Sequence, residues 1–298
     1  LEDAFVAADT EVPLRHAHAL AGDGAGGSLL LMPAWSREAL GVKLVTVMPG
    51  AAAFGAGTVQ ASYLLLDRDT GVPRALIDGE ALTLRRTAAA SALAAQSLAR
   101  PDAERLLVVG TGRLAPWMAR AHVALRPDLM HVDVWGRNAD AAEEVVETLR
   151  EEGIDAEVAL DLRVAVEQAD VISCATTSRE PLVRGVWLKP GAHLDLVGGF
   201  RRDMREADDA AIVRSRVFVD TFAGALAEAG DLTQPIERGL IARAHVIGEL
   251  AQLLRGEVAG RRRADEITLF KSVGTALEDL AAARMVVRPA PGRSQTSA

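Results

Sequence analysis

The stretch Leu106-Leu107-Val108-Val109-Gly110-Thr111-Gly112-Arg113-Leu114-Ala115 decides the fold of this chain. Four apolar residues at its start predict a strand that is buried on both faces. The G-x-G-x-x-A pattern that follows is typical of the turn between the first strand and the first helix of a dinucleotide-binding domain. Gly110 permits the tight turn, Gly112 lets the backbone approach a pyrophosphate, and the helix N-terminus presents free N–H groups. We therefore predict a bound dinucleotide rather than a purely structural turn.

The composition describes an ordinary globular protein and excludes several classes of partner. The 298 residues are 49% hydrophobic and 25% charged, with a formal net charge of −8. This charge argues against nucleic acid or an anionic membrane, and no apolar run approaches the ~18 residues that span a bilayer. A single cysteine, Cys174, excludes a disulfide within the chain and fits a reducing, cytoplasmic location. The six histidines show no metal-ligand spacing with cysteine or glutamate, so we expect no metal.

Strand and helix patterns divide the chain into two regions. Residues 1–100 are rich in strands, including a hairpin of Val59–Leu66 and Pro73–Ile77. Residues 101–274 alternate strands with helices, one of them expected at Ile241–Leu254, and this alternation predicts a doubly wound parallel sheet. The predicted fold class is α/β, a Rossmann doubly wound domain plus an α+β domain. We expect the helix at 275–287 to return to the first region and the tail 288–298 to be disordered.

The end of the second predicted strand of the dinucleotide-binding region points to the phosphorylated cofactor. An NAD-preferring site usually carries an acid there to bind the ribose hydroxyls. This chain has Gly136 followed by Arg137 and Asn138, and Asp133 lies inside the strand. Arg137 can hold a 2′-phosphate through charge-assisted hydrogen bonds; the alternative is a surface arginine without a ligand. We predict NADPH as the cofactor, with NADH possible.

Three cations occupy unusual positions in the first region. Lys43 lies within an apolar strand, which is costly unless its ammonium faces a cleft or a partner. Arg86 is expected to start a helix, where the macrodipole disfavours a cation, so that a bound anion would explain it. Arg15 lies in an early strand-like segment, Val12 to His16. Together the three predict a pocket for a small carboxylate. Taken singly, Lys43 could snorkel, Arg86 could form a structural ion pair, and Arg15 could lie on the surface.

Several motifs resemble those of the ornithine cyclodeaminase/μ-crystallin family. They are Gly41-Val42-Lys43, the run from Leu82 to Ser91, Gly110-Thr111-Gly112, and Asp67-Arg68-Asp69-Thr70-Gly71 with Ile77-Asp78-Gly79. The resemblance extends to about residue 287. It implies a homodimer in which residues 1–100 bind substrate and dimerise, residues 101–274 bind the nucleotide, and the last helix returns to the first domain.

The resemblance also implies roles for particular residues. Lys43 matches the family's active-site lysine, Arg86 the arginine that clamps the substrate carboxylate, and Arg15 a second carboxylate-binding arginine. Residues matching the cofactor site are Gly110, Thr111, Gly112, Arg113 and Leu114 at the pyrophosphate, Arg137 and Asn138 at the 2′-phosphate, Thr176 and Thr177 near the nucleotide, and Val273 beside the nicotinamide.

One departure from the family pattern selects a branch. Ornithine cyclodeaminases and related alanine dehydrogenases carry an aspartate where this chain has Phe200, and its loss removes the obvious group for a substrate amine. The segments His193 to Glu206 and Asp265 to Asp279 are instead similar to the bacterial Δ1-pyrroline-2-carboxylate/Δ1-piperideine-2-carboxylate reductases. This similarity implies NAD(P)H-dependent reduction of cyclic imino acids to L-proline and L-pipecolate, with Phe200 as an apolar wall for the substrate ring.

Two other functions stay open at this stage. One is a cyclodeaminase or an alanine-dehydrogenase-like enzyme that acts on an open-chain amino acid, against which Phe200 argues. The other is a non-catalytic, NADPH-bound ligand-binding protein of the μ-crystallin type. Lys43 and Arg86 favour catalysis, although binding alone would also need them.

Overall fold

A computed structural model describes residues 1–20 and 26–287 of the chain. The first region is built on an antiparallel sheet in the order β1-β2-β3-β4-β5. The elements of this region are α1 (Glu2–Ala7), β1 (His16–Leu20), β2 (Gly27–Trp35), β3 (Leu40–Val47), β4 (Val59–Leu66), β5 (Pro73–Asp78) and α2 (Gly79–Leu98).

The second region is a parallel sheet in the order β12-β11-β13-β10-β9-β6-β7-β8. Its elements are β6 (Arg105–Val109), α3 (Ala115–Leu125), β7 (His131–Trp135), α4 (Ala139–Glu151), β8 (Ala156–Val158), α5 (Leu162–Gln168), β9 (Val171–Cys174), β10 (His193–Leu196), α6 (Asp209–Arg214), β11 (Ser215–Val219), α7 (Phe222–Glu228), α8 (Gly230–Glu237), β12 (Val246–Glu249), α9 (Leu250–Leu254) and β13 (Ile267–Lys271). Helix α10 (Ala276–Val287) follows β13 after a turn of four residues, 272–275. The predicted α/β class and Rossmann sheet are confirmed.

Two helices connect the sheets. Helix α10 packs on the inner face of the antiparallel sheet, where Leu280 and Ala283 join Met32, Tyr63 and Leu65 in one core cluster. Helix α2 also borders that cluster, and its other residues pack against the parallel sheet. The Ser91 hydroxyl on α2 donates to Asp195 Oδ1 on β10 at 2.9 Å, and both groups are buried. This contact fixes α2 against the nucleotide-binding sheet.

The predicted hairpin of the first region is confirmed as β4 and β5. Its turn is closed by Asp67, whose Oδ1 accepts hydrogen bonds from the backbone N–H groups of Asp69 and Thr70 at 3.2 and 3.0 Å. Gly71 follows with φ of 71°, a conformation that glycine adopts without steric cost. Local side chain–backbone hydrogen bonding therefore sets this turn.

Three sequence-based expectations are wrong in detail. The helix expected at Ile241–Leu254 is instead strand β12 followed by the short α9, because Glu249 forms a capping box that starts the helix there. Arg86 does not start a helix: Asp78 caps α2, so that Arg86 lies two turns inside it. The strand-like segment expected at Val12 to His16 is irregular as far as Arg15, since β1 begins only at His16.

Other expectations concern the tail and the membrane. The expected disordered tail, 288–298, lies outside the described residues. Among the helices of 1–20 and 26–287, none has both the length and the apolar character that crossing a bilayer requires.

Candidate active site

The phosphate loop, residues 110–114, connects β6 to α3 at the carboxyl edge of the parallel sheet. Gly110 has φ of 123°, and a Cβ there would lie 2.6 Å from the carbonyl oxygen of Ala175. A Cβ on Gly112 would meet nothing within 4 Å, so this side of the loop is open. Within the described part of the chain, no side chain caps the start of α3. The loop therefore fits a ligand phosphate, because free N–H groups and an open glycine face the same space.

The rest of the phosphate loop is attached to α2. Arg113 forms an ion pair with Glu80 in the first turn of α2, although the arginine side chain stays largely exposed. Leu114 packs with Ala88 of α2 and with Met118 and Val197. The helix that carries Arg86 is thus in direct contact with the predicted cofactor loop.

The corner after β7, residues 136–138, lies beside the phosphate loop. A Cβ on Gly136 would lie 2.4 Å from Cγ2 of Thr111, so a larger residue would displace the loop. Arg137 is exposed and makes no ion pair with any residue in the described ranges. Asn138 caps α4 by accepting a hydrogen bond from the N–H of Asp140 at 3.0 Å. Asp133 is held inside the sheet by Arg105 at 2.6 Å, so its carboxylate is already paired.

Thr176 and Thr177 follow β9 at the same edge, and Thr176 is held by Glu206. The buried Glu206 accepts from the N–H of Thr176 at 2.7 Å and from its hydroxyl at 2.9 Å. Its other oxygen accepts from the N–H groups of Gly198 at 2.7 Å and Gly199 at 3.3 Å. Burial raises the pKa of Glu206 to about 7, against the opposing effect of Lys271. Thr177 is exposed.

Lys43, Arg86, Glu278 and Asp279 form a buried charged cluster between the two sheets. Lys43 on β3 is 3% exposed and Arg86 on α2 is 6% exposed. The Lys43 ammonium is 2.7 Å from Asp279 Oδ2. Arg86 Nε donates to Asp279 Oδ1 at 3.0 Å, and its Nη1 donates to Glu278 Oε2 at 2.5 Å. The anions that explain Arg86 are therefore two carboxylates in the first turn of α10.

Burial and mutual attraction set the charges in this cluster. Burial, with help from Arg86, lowers the pKa of Lys43 to about 8. Burial, together with Asp220 and Asp279, raises the pKa of Glu278 to about 7 against the pull of Arg86. Burial opposes the charge of Arg86 as well, but the two carboxylates raise its pKa overall. Burial therefore brings the pKa values of both Lys43 and Glu278 towards neutrality.

A turn at 272–274 connects the end of β13 in the nucleotide-binding sheet to α10, which carries the two carboxylates of the charged cluster. The buried Asp220 at the end of β11 accepts from the N–H groups of Val273 at 2.8 Å and Gly274 at 2.6 Å. A Cβ on Gly274 would lie 2.5 Å from Nη1 of Arg86, so only glycine lets the turn approach the guanidinium. Gly274 has φ of 84°, which also favours glycine.

Within the described residues, neither Arg15 nor Phe200 is hydrogen-bonded to a member of the charged cluster. Arg15 donates to the carbonyl of Gly274 at 3.4 Å and pairs with Glu228 at 3.2 Å. It lines a cavity of about 530 Å³ that also reaches Asp220 and Gly274. Phe200 follows Gly198-Gly199 after β10 and is 43% exposed. Among the residues that the structure describes, no group of three or more His, Cys, Asp or Glu side chains is placed to hold a metal ion.

Comparison with known proteins agrees with this arrangement. The model of the ornithine cyclodeaminase/mu-crystallin family matches residues 4–292. The chain belongs to this family. Its sequence is 42% identical over 269 residues to a Delta(1)-pyrroline-2-carboxylate reductase of Paracoccus denitrificans, covering 89% of this chain and 84% of the relative.

Two solved structures superpose on nearly the whole chain. One is the Thermococcus litoralis Delta(1)-pyrroline-2-carboxylate reductase in complex with NADH and L-proline, with a TM-score of 0.89 and 36% identity over 96% of this chain and 90% of that one. Another is an archaeal alanine dehydrogenase dimer with bound NAD, with a TM-score of 0.87 and 29% identity over 96% and 88%. The predicted family resemblance is confirmed.

Sequence reasoning missed the carboxylates that surround the predicted cations. Glu278, Asp279 and Asp220 contact or face Arg86, and Glu206 holds the Thr176 loop. Lys271 is also buried, with its ammonium 3.4 Å from Asp231 Oδ2. A usable signal existed for Lys271, which ends an otherwise apolar strand. Glu278 and Asp279 gave none, because acids in the first turn of a helix are common for reasons of the helix dipole.

Proposed function

We propose that this member of the family reduces cyclic 2-imino acids, such as Δ1-pyrroline-2-carboxylate and Δ1-piperideine-2-carboxylate, with a reduced nicotinamide dinucleotide. The observation that carries the proposal is the charged cluster beside the 272–274 turn, at the carboxyl edge of a sheet whose phosphate loop fits a dinucleotide. Similarity to the reductases of Paracoccus denitrificans and Thermococcus litoralis supports the same chemistry.

The cations of the cluster are suited to bind and orient an α-imino acid. Nε and Nη1 of Arg86 are engaged by Asp279 and Glu278, which leaves Nη2 to donate to a substrate carboxylate. Lys43 holds Asp279 with one of its three donors and reaches Thr83 Oγ1 at 3.5 Å with another, which leaves the third for the same carboxylate. Anchoring the carboxylate at two cations fixes the adjacent C=N bond relative to the turn at 272–274. The nicotinamide, when bound, supplies the hydride.

The cofactor we propose is NADPH, with NADH as a weaker alternative. Support comes from the corner at 136–138, where the acid of an NAD-preferring site is replaced by Gly136 and where Arg137 is exposed and unpaired among the described residues. An arginine that is not already paired can bind a 2′-phosphate without losing another partner. Thr111, Thr177 and Val273 are proposed to contact the nucleotide as well.

We propose that Phe200 distinguishes this reaction from deamination. Its partly exposed ring offers no carboxylate to hold a substrate amine, whereas an apolar wall suits ring methylenes. We propose Arg15 as a second, outer contact for the substrate, because its guanidinium reaches the carbonyl of Gly274 next to Arg86.

A substrate panel tests the proposal. Oxidation of NADPH and NADH should be followed with Δ1-pyrroline-2-carboxylate, Δ1-piperideine-2-carboxylate, and pyruvate with ammonia, and the products should be analysed on a chiral column. The expected result is L-proline and L-pipecolate, with a lower KM for NADPH. Rapid turnover of pyruvate with ammonia and none of the cyclic imines would refute the assignment.

We propose further that residues 1–100, together with 275–287, form the part of the chain that dimerises. The inner face of the antiparallel sheet is covered by α2 and α10, but its outer face carries an apolar row in register across the strands: Pro33, Val42, Leu64 and Leu76. Leu76 is 74% exposed. The dimeric archaeal alanine dehydrogenase supports such an assembly. Light scattering should give twice the chain mass, and Val42→Glu should give the single-chain mass; a wild-type monomer contradicts the proposal.

We propose a cytoplasmic location, and the single thiol supports it. Cys174 is free and fully buried at the end of β9, which suits a compartment that keeps thiols reduced. Recovery of the protein in an exported or membrane fraction of its source cells would contradict this assignment.

A further inference from the structure

The reduction proposed above needs a proton that the nicotinamide does not supply. Conversion of C=N to CH–NH adds two electrons and two hydrogens, of which the hydride accounts for both electrons and one hydrogen. The second hydrogen must arrive at the ring nitrogen as a proton. The source must lie close to the bound carboxylate, because one carbon atom alone separates that carboxylate from the C=N nitrogen.

The balance of charges around Arg86 identifies the candidate. Lys43 from β3 and Arg86 from α2 are the two cations of the cluster, and they face Glu278 and Asp279 on α10 and Asp220 at the end of β11. Lys271 on β13 also acts on Asp220, but its charge is already balanced by Asp231, 3.4 Å away. A substrate carboxylate would be a fourth anion against two cations in a buried space. Such an excess of negative charge is costly at low dielectric, so binding should be accompanied by uptake of a proton onto one carboxylate.

Glu278 is the carboxylate that loses least by accepting this proton. Asp279 is paired with both Lys43 and Arg86. Asp220 accepts from the backbone N–H groups of Thr221, Val273 and Gly274. Glu278 contacts Arg86 through Oε2, whereas its buried Oε1 has no hydrogen-bond partner within the described residues. Its pKa, raised by burial to about 7, agrees with this assignment.

We propose that Glu278 carries the proton that is transferred to the imine nitrogen. Glu278 and the substrate carboxylate share one guanidinium, which places the acid next to the C=N bond. In the step, the O–H bond of Glu278 breaks and its proton forms an N–H bond with the former π electron pair of C=N, while the hydride forms the C–H bond. Glu278 is left as a carboxylate and regains a proton from solvent as the product leaves.

Lys43 is the competing donor, and the same charges argue against it. If Lys43 released its proton, Arg86 alone would face Asp279, Glu278, Asp220 and the substrate carboxylate. If Glu278 releases it, Lys43 and Arg86 both remain charged. The second state has the smaller excess of negative charge, so Glu278 is the better acid and Lys43 the fixed anchor.

Calorimetry on the cofactor-bound protein tests proton uptake without turnover. Pyrrole-2-carboxylate, a planar analogue that cannot be reduced in this way, is titrated into protein with saturating NADP⁺ at pH 8 in two buffers of different ionisation enthalpy. Lys43, with a pKa of about 8, can gain part of a proton in both proteins, so the readout is the difference between them. Wild type should take up as much as about one proton more per ligand than Glu278→Gln, because the neutral amide has no proton to gain. The surface variant Glu143→Gln, which removes an exposed carboxylate of α4, should match wild type. Equal uptake by wild type and Glu278→Gln would overturn the proposal.

Kinetics provide the second readout. Glu278→Gln should lower kcat by about 100-fold or more, the usual contribution of a general acid, while KM for the imino acid is unchanged or lower. Glu278→Asp keeps an acid and should retain part of kcat with a displaced pH profile. A merely structural role would raise KM and leave the shape of the pH profile intact, and either that result or a wild-type kcat in Glu278→Gln contradicts the proposal. This inference rests on the proposed reductase: if wild type reduces no cyclic imine, the reductase assignment fails, while proton uptake still reports on Glu278.

Discussion

The nucleotide edge and the charged cluster differ in how many of their charges and donors are already paired. The nucleotide edge consists of residues 110–114 and 136–138. The nucleotide edge presents backbone N–H groups, open glycine faces and the exposed Arg137, none of which must give up a strong partner to bind a phosphate. In the charged cluster every formal charge already has a partner at 2.5 to 3.0 Å. A ligand can bind at the nucleotide edge without rearrangement. At the charged cluster it must compete with buried carboxylates.

Because of this difference, we expect that substitutions can change cofactor affinity and substrate turnover separately. At the nucleotide edge the contacts to the ligand are independent of one another. Removing one of them should weaken binding by the free energy of that contact alone. The charged cluster acts as a unit, because removing one member leaves another buried charge unpaired. Substitutions at the nucleotide edge and in the charged cluster should therefore have effects of different size and kind.

The largest effect is expected at Arg86. Arg86→Lys keeps the charge but loses the planar fork that reaches Glu278 and Asp279 together. We expect kcat/KM for Δ1-pyrroline-2-carboxylate to fall by about 100-fold or more, because the carboxylate is no longer held in one orientation. NADPH affinity, measured by fluorescence titration, should change little. Near-normal kcat/KM in this variant would remove Arg86 from the substrate site.

The next effect is the pH dependence that Lys43 gives to stability. Its pKa is lowered from 10.5 to about 8 in the folded protein. Between these values the unfolded chain holds a proton that the folded protein has released, so this group's contribution to the free energy of unfolding increases with pH. Over the window the increase is about 3 kcal/mol at most. Denaturant titrations from pH 7.5 to 10.5 should show a steeper rise for wild type than for Lys43→Met; identical slopes would show that Lys43 is not destabilised by burial.

At the nucleotide edge, Arg137→Ala should affect one cofactor selectively. Loss of a charge-assisted hydrogen bond to the 2′-phosphate costs about 1.5–3 kcal/mol, which is roughly a 10- to 150-fold rise in KM for NADPH. NADH serves as the internal control, because it lacks that phosphate. A parallel loss with both cofactors would mean that Arg137 does not bind the 2′-phosphate.

The two glycines of the phosphate loop should separate folding from binding. Gly110→Ala introduces a Cβ against the carbonyl of Ala175 at a φ of 123°, which should destabilise the protein by about 1–3 kcal/mol even without cofactor. Gly112→Ala meets no protein atom, so it should leave the melting temperature unchanged and weaken NADPH binding through contact with the pyrophosphate. Unfolding of the protein by Gly112→Ala, or unchanged stability in Gly110→Ala, would contradict these separate roles of the two glycines.

The nucleotide edge could be predicted from the sequence because its residues follow one another along the chain. Gly110 and Gly112 occupy one turn between β6 and α3, and Gly136 and Arg137 lie directly after β7. Each position depends mainly on a strand that ends and a helix that begins nearby. Even within such local structure, the sequence pattern places the start of α2 too late. Asp78 caps the helix before its apolar pattern begins.

The charged cluster could be predicted only in part. Lys43 and Arg86 stand out as cations in apolar surroundings, and the family resemblance gives them a role. Glu278 and Asp279 reach them because α10 returns across the molecule to pack on β2, β3 and β4. The sequence predicts the return of α10, but neither composition nor periodicity near residue 278 shows which side chains of its first turn meet the two cations. The partners of Lys43 and Arg86 therefore became visible with the tertiary structure alone.

The measurement that tests the proposed reductase most directly compares two substrates on one preparation of wild-type protein. NADPH oxidation is followed with Δ1-pyrroline-2-carboxylate, and ammonia release is followed with L-ornithine and NAD⁺. Because Phe200 offers no carboxylate for a substrate amine, we expect rapid oxidation of NADPH, formation of L-proline and no ammonia. Robust release of ammonia from ornithine, with little oxidation of NADPH by the cyclic imine, would contradict the account.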